Sequence, residues 1–413
     1  MADLQPLRTL RYDNSIAGRL EDLIAPPYDV IDDAMRAELA ARSTHNVVHI
    51  DLPPSYEQAA STMQEWRTSG VLTQEDELAV WVLRQDYTAP DGRDRTRMGF
   101  FGRVRVDEYG PGRIRPHERT HPGPLQDRLQ LTRATRANLS PIFSLFPDRD
   151  GIATRAMTEI SREDPFALAG GNRLWRSSDA DLVAELQMAV ADAELLIADG
   201  HHRYETARVY AEEVGGEGEH RYVLMLLCSL SDPGLLVFPT HRLLSGLSED
   251  QEKQEAIRDV LIRDFEIEEL AAPEQLEPGP EGNGVAFGYM DSFHKKPYRV
   301  TLKDQAIADR ALEGMPEAYR RLDTAVLEAL VLREALGMSE DDISHLRGLS
   351  YSKDLDDAID AVHTGRADAG FFMRATPIEQ VRAVATAGEA MPPKSTFFYP
   401  KVPTGLVFNP LSG

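Results

Sequence analysis

The sequence predicts a mixed α/β protein built in two parts, and three observations lead there. The chain has 413 residues, too many for one ordinary core at roughly 150 residues per domain. Apolar runs of strand length alternate with stretches of helical periodicity. The pattern also halts and restarts near residue 245, giving one domain over 1–245 and a second, α+β domain over 246–413.

The elements follow in order. Ile24-Ala25-Pro26-Pro27 forces an extended turn, after which Asp32 caps a helix through Ala41. A second helix covers Tyr56 to Thr68. Leu78 to Gln85 and Met98 to Val106 hold strand formers, and Asp91-Gly92 between them predicts a hairpin. Ile142 to Phe146 reads as a strand, Asp179 to Ala191 as an amphipathic helix, and the apolar run from Leu195 as another strand. In the helix after Asp199, residues Tyr204, Ala207, Ala211 and Val214 recur at helical spacing and predict its buried face, which leaves His202, Arg203 and Glu205 toward a cleft. Tyr222 to Leu230 and Leu235 to Pro239 add two buried strands. Beyond residue 245 come a helix near Glu252 to Asp264, a strand at Phe265 to Leu270, and a loop over Ala271 to Gly284. A hairpin of Val285 to Met290 with Tyr298 to Leu302 precedes a long helix at Leu322 to Leu336. Leu355 to Val362, Asp368 to Met373 and Ile378 to Ala387 then read helix, strand, helix.

Composition narrows the class. Forty-five Lys and Arg against 68 Asp and Glu give a formal charge of -23, which favours solubility and repels polyanions at long range. Nucleic acid is therefore not an expected partner. No run of about 18 apolar residues marks a membrane span, and Met1-Ala2-Asp3-Leu4-Gln5 lacks the regions of a secretory signal. The expected location is the cytoplasm. One cysteine excludes internal disulfides and cysteine zinc sites, and Cys228, inside an apolar run, reads as a buried structural thiol.

Three segments combine reactive groups with a turning backbone. In the first, an apolar run stops at Asp199-Gly200 and passes into His201-His202-Arg203-Tyr204-Glu205. Gly200 permits a tight turn, and the amides opening the next helix lack helical acceptors, so they can hold an anion. The plain reading of Asp199 is a helix cap. The functional reading puts phosphate on the amides and Arg203, with Asp199 accepting a proton or holding a metal through water. The second segment, Arg113 to Arg136, carries six arginines and two histidines against Glu118 and Asp127. This basic island invites an anion through Arg113, Arg115, His117, Arg119 and Arg128, with Glu118 as a base or magnesium ligand. His117 and His121 have a metal-like spacing for a helix, but Pro116, Pro122 and Pro124 speak against a helix there. The third segment, Lys394-Ser395-Thr396 to Lys401, offers Lys394 and Lys401 as anion contacts.

Ala25-Pro26-Pro27-Tyr28-Asp29-Val30-Ile31, His117-Glu118, Asp127-Arg128-Leu129, Ser140-Pro141-Ile142-Phe143, Asp199 to Ala207 and Met391 to Lys401 together resemble a large bacterial and archaeal family, domain-of-unknown-function family 1015. The Asp-Gly-His-His-Arg segment looks like the signature of the wider ParB and sulfiredoxin-like superfamily. That resemblance implies a ParB/sulfiredoxin-like mixed α/β core with insertions, binding nucleotide phosphates at a helix start. Relatives of that fold hydrolyse CTP, use ATP, or phosphorylate free serine. It further implies that Gly200, His201, His202 and Arg203 cradle phosphate and that Asp199 lies near a reacting hydroxyl. The motif has no cysteine, so sulfinic-acid repair is not expected.

The expected activity is nucleotide-dependent phosphoryl transfer to a small hydroxylated metabolite, with free L-serine the first candidate. Catalytic roles fall to Asp199, Glu118 and His202. Gly200, His201, His202, Arg203, Arg115, His117, Arg128, Lys394 and Lys401 would bind ATP or ADP, another nucleotide or pyrophosphate. Mg²⁺ would bridge the phosphates with Asp199 and Glu118 as its carboxylates. Two alternatives stand beside this: a metal-dependent hydrolase using His201, His202, Glu205, His117 and His241, and a non-catalytic nucleotide sensor or assembly protein.

Overall fold

The computed structural model describes residues 2–89, 92–120, 122–279 and 284–412. Asp91 of the predicted hairpin, His121, and residues 280–283 of the predicted loop lie outside the described residues. The chain divides into two compact units, one of Met1–Pro116, Thr120–Leu235 and Pro400–Gly413, the other of His117–Arg119 and Leu236–Tyr399. Sequence patterning places a single cut near 245; the observed division falls earlier, and the chain's last residues return to the first unit. Their return rests on long-range backbone pairing, which local periodicity cannot register. Ala25 and Thr404 exchange amide bonds, Leu10 pairs with Phe408, and Asn409–Pro410 pairs with Ala137–Asn138.

The first unit is organised on a mixed sheet of nine strands among the described residues. Its order runs Ile114–Arg115, Leu195–Asp199, Ile142–Phe146, Tyr222–Ser229, Asp94–Arg105, Val80–Thr88, Asn172–Ser177, Ala167–Ala169, with Leu4–Gln5 added on Asp94–Arg105. Two neighbours are parallel, Leu195–Asp199 with Ile114–Arg115 and Tyr222–Ser229 with Ile142–Phe146. The others are antiparallel. The central strands read as unbroken apolar runs because both of their faces are covered. Val183, Leu186 and Val190 of the helix Ala180–Ala191 pack with Tyr204 and Ala207 of the helix His201–Val214 against Leu195, Ile197, Met225 and Leu227.

The second unit holds a six-stranded antiparallel sheet among the described residues, ordered Phe265–Glu269, Tyr298–Leu302, Ala286–Asp291, Ala369–Phe372, His241–Leu244, Leu349–Ser352. Ile257, Val260 and Leu261 of the helix Gln251–Asp264 join Phe265, Phe287, Val300 and Phe371 in its core.

Three expectations need correction. Pro122 and Pro124 do not prevent a helix: Pro122–Thr135 is helical, and both prolines fall in its first turn, where an amide has no helical acceptor to lose. Val214 is 51% exposed; it ends its helix, so the buried face stops at Ala211. The predicted long helix at Leu322 to Leu336 splits into the α-helix Asp323–Leu327 and the π-helix Glu328–Ala335.

Candidate functional site

In the first unit the strand Leu195–Asp199 slips register against Ile142–Phe146 between Ile197 and Asp199. Such a bulge bends a strand and re-aims its last side chains. Gly200 follows at φ +98° and starts the helix His201–Val214. A side chain there would be strained by that φ, and its Cβ would stand 3.1 Å from the Arg203 guanidinium carbon. Arg203 thus folds back over the helix N-terminus into space that only glycine leaves.

Asp199 is not the helix cap. Gly200 occupies that position, and the Asp199 carboxylate turns to two cations instead. Oδ2 accepts from Arg203 Nη2 at 2.5 Å, and Oδ1 accepts from Lys401 Nζ. Arg203 Nη1 also donates to the Pro141 carbonyl, and the Lys401 carbonyl accepts from Gln85 Nε2 at 3.2 Å. Burial alone would raise the Asp199 carboxyl, but Lys401 and Arg203 hold it well below the usual carboxylate range. It is therefore ionised at neutral pH and weak as a proton acceptor. His201 is buried, and His202 and Arg203 are half-buried.

Beside Arg203 the segments around Tyr28, Asp51 and Arg128 converge. Arg128 is 6% exposed. Its Nη1 donates to Asp51 Oδ1 at 3.1 Å and to the Asp51 carbonyl at 2.9 Å, and its Nε donates to Asp127 Oδ2 at 2.8 Å. Its guanidinium carbon stacks 4.3 Å from the centre of the Tyr28 ring, while Tyr56 donates to Asp127 Oδ1 at 2.9 Å. Burial raises the Asp51 carboxyl against the opposing pull of Arg128, and burial pushes the Tyr28 phenol up to about 12. Arg128 Nη2 also pairs with Asp127 Oδ2 at 2.6 Å, so this residue clamps Tyr28, Asp51 and Asp127 together.

The basic island is neutralised by the acidic remainder of the chain. Arg113 pairs with Asp107, Arg115 with Glu194, Arg128 with Asp51, and Arg133 with Glu213. Arg119, in the second unit, pairs with Glu340 and Glu389. Local charge counts six arginines; carboxylate partners are drawn to five of them, Arg113, Arg115, Arg119, Arg128 and Arg133.

The second unit gathers His117, Glu118 and Lys394. The His117 carbonyl accepts from the Met391 amide at 2.8 Å, and its Nε2 lies 2.9 Å from Thr396 Oγ1. Glu118 Oε1 accepts from the Lys394 amide at 3.1 Å, and Lys394 adopts φ +55°. These residues pin the Met391-Pro392-Pro393-Lys394 turn. Among the described residues no group of three or more His, Cys, Asp or Glu converges as metal ligands. Cys228 is buried, and burial pushes its thiol up.

Sequence reasoning missed Asp51 and Tyr28. Asp51 stands in an apolar stretch, His49-Ile50-Asp51-Leu52, and a lone acid there was the available signal. Tyr28 follows the Pro26-Pro27 turn, and nothing in that local sequence points to its stacking on a distant arginine.

The family model described as "Protein of unknown function (DUF1015)" matches residues 4–325. Among curated proteins no relative matches the sequence. Among solved structures, a free serine kinase in complex with AMP is similar at 16% identity and a TM-score of 0.35, over 71% of this chain and 88% of that one. A conserved hypothetical protein from Pyrococcus furiosus is similar at 17% identity and a TM-score of 0.35, over 71% and 92%. SbnI with a C-terminal truncation, from Staphylococcus aureus, is similar at 12% identity and a TM-score of 0.38, over 74% and 85%. At these TM-scores the likenesses say nothing of ligand or activity. No helix among the described residues is long and apolar enough to cross a membrane.

Proposed function

Since the chain belongs to the DUF1015 family, whose description carries no activity, we propose a function from the site itself: nucleotide-dependent phosphoryl transfer to a small hydroxylated metabolite. One observation carries this reading. Lys401 and Arg203 share a single carboxylate, Asp199, at the N-terminus of a 14-residue helix. Two cations against one anion, at the positive end of a helix, form an excess of positive charge suited to phosphate oxygens.

Phosphoryl transfer has a loose transition state and needs placement and charge neutralisation more than a strong base. A carboxylate depressed by two cations suits that demand. Asp199 would orient the acceptor hydroxyl and hold Lys401 and Arg203 apart until polyphosphate replaces it as their partner. Gly200, His201 and His202 would supply the turn around the phosphates. Mg²⁺ prefers oxygen ligands and keeps several waters, so it would arrive on the polyphosphate, with Asp199 its first protein oxygen.

Thermal-shift measurements with ATP, ADP, CTP and pyrophosphate, each with and without Mg²⁺, test this. A ligand at about 100 times its dissociation constant adds about 2.7 kcal/mol to stability. Turnover of the best binder is then followed with free L-serine and other small alcohols. No shift with any of the four ligands ends the proposal.

A further inference from the structure

Between the Arg128 clamp and Arg203 lies a cavity of about 40 Å³. Its walls include Asp51, Arg128, Ser140, Arg203 and Thr206. Three polar atoms on these walls, Asp51 Oδ2, Arg203 Nε and Thr206 Oγ1, are buried and have no hydrogen-bond partner in the protein. Asp51 and Thr206 are each 3% exposed, and the Arg203 side chain is 10% exposed. One such atom is ordinary in a folded chain; three on residues that line one small space call for a common partner. That partner must accept from Arg203 and donate to Asp51.

Charge and size define the partner further. A bare cation cannot accept from Arg203 Nε, and a bare anion cannot donate to Asp51 Oδ2, so neither satisfies both atoms. A water needs roughly 10–15 Å³ of such space, so about 40 Å³ admits about three or four waters. We propose that the cavity is an ordered-water site, and that its water joins Asp51 and Thr206 to Arg203 Nε. Asp51 and Thr206 then act as positioning residues for Arg203, whose Nη1 and Nη2 are already held by Pro141 and Asp199. Fixing Nε as well leaves the guanidinium plane a single orientation. The consequence for polyphosphate rests on the reading given above.

The first test is a crystal structure of the full chain with solvent resolved, paired with a bromide soak. A water within hydrogen-bond distance of Asp51 Oδ2, Arg203 Nε and Thr206 Oγ1 is expected. A bromide anomalous peak in the cavity, or a side chain filling it, overturns the proposal. The second test titrates pyrophosphate into Thr206→Val and Thr206→Ser. Loss of the hydroxyl in Thr206→Val is expected to weaken binding about tenfold with the melting temperature little changed, and Thr206→Ser to stay within about twofold of the parent. Parent-like binding by Thr206→Val removes the positioning role. If pyrophosphate fails to bind the parent chain, the functional reading falls, and the solvent positions still decide the water site.

Discussion

Lys401 and Asp199 stand 202 residues apart in sequence and share a largely buried ion pair. Arg203 occupies the other oxygen of the same carboxylate. Removal of Asp199 therefore changes both the charge of the site and the contacts that hold Lys401 and Arg203.

Asp199→Asn keeps the shape and removes the charge. Lys401 and Arg203 then lose their counter-charge in a poorly solvated position, so unfolding in urea should show a loss of about 3 kcal/mol. Pyrophosphate should bind more tightly, because no carboxylate competes for the two cations, while phosphoryl transfer should collapse. Unchanged affinity together with full turnover would remove Asp199 from the mechanism.

Gly200→Ala tests the turn. Its φ of +98° is costly for any side chain, and the added Cβ meets the Arg203 guanidinium at 3.1 Å. Gly151→Ala is the control, since that glycine also opens a helix in the left-handed region, at φ +64°, and an added Cβ there would meet Arg155 Nη1 only at 3.6 Å. The control should cost about 1 kcal/mol through its backbone alone. Gly200→Ala should cost more in thermal melts and also weaken anion binding. Equal losses in the two variants would mean that Arg203 gives way without consequence.

Arg128→Met breaks the clamp. Leaving Asp51 buried without its partner should cost about 3–5 kcal/mol. The double variant Arg128→Met with Asp51→Leu should recover part of that loss in urea titrations. A double variant as unstable as the sum of its single changes would show that the pair is not coupled.

The second unit should weaken in mild acid. His241 is fully buried, its Nδ1 accepts from the Met373 amide at 3.1 Å, and burial, aided by neighbouring Arg242, pushes the imidazole down to about 4. An unfolded histidine binds its proton near about 6.5. Stability from this group is therefore complete above that pH and is lost as the pH falls toward about 4, because only the unfolded chain takes up the proton in that interval. His241→Asn places a carboxamide oxygen near the Nδ1 position without a titrating group. Stability measured from pH 4 to 7 should fall less steeply in this variant; parallel curves would assign the acid sensitivity elsewhere.

Local pattern made much of the architecture legible. The helix Tyr56–Thr68 and the strands Ile142–Phe146 and Tyr298–Leu302 have the predicted ends, because apolar spacing and capping residues act within a few positions. Asp32, expected to cap its helix, accepts from the Met35 amide. The Asp199-Gly200 junction was equally visible, since a strand stopping at glycine needs no tertiary information. The partners of its charges were not. Lys401 and the carboxylates that pair with the basic island reach those partners through tertiary folding, and the local sequence around them does not name the partner; only Asp51, a lone acid in an apolar stretch, carried a local signal. The proline-led helix Pro122–Thr135 was missed because proline forbids a helix interior but tolerates its first turn.

The return of Pro400–Gly413 to the first unit has a consequence for biosynthesis. A ribosome delivers the sheet of that unit and most of the second unit before Lys401 emerges, so the nascent chain carries Asp199 and Arg203 without their third member. The Thr404 pairing with Ala25 and the Phe408 pairing with Leu10 also wait for residues 404 and 408 to be made. Premature termination between residues 236 and 400 would thus leave the first-made unit without the segment that completes it.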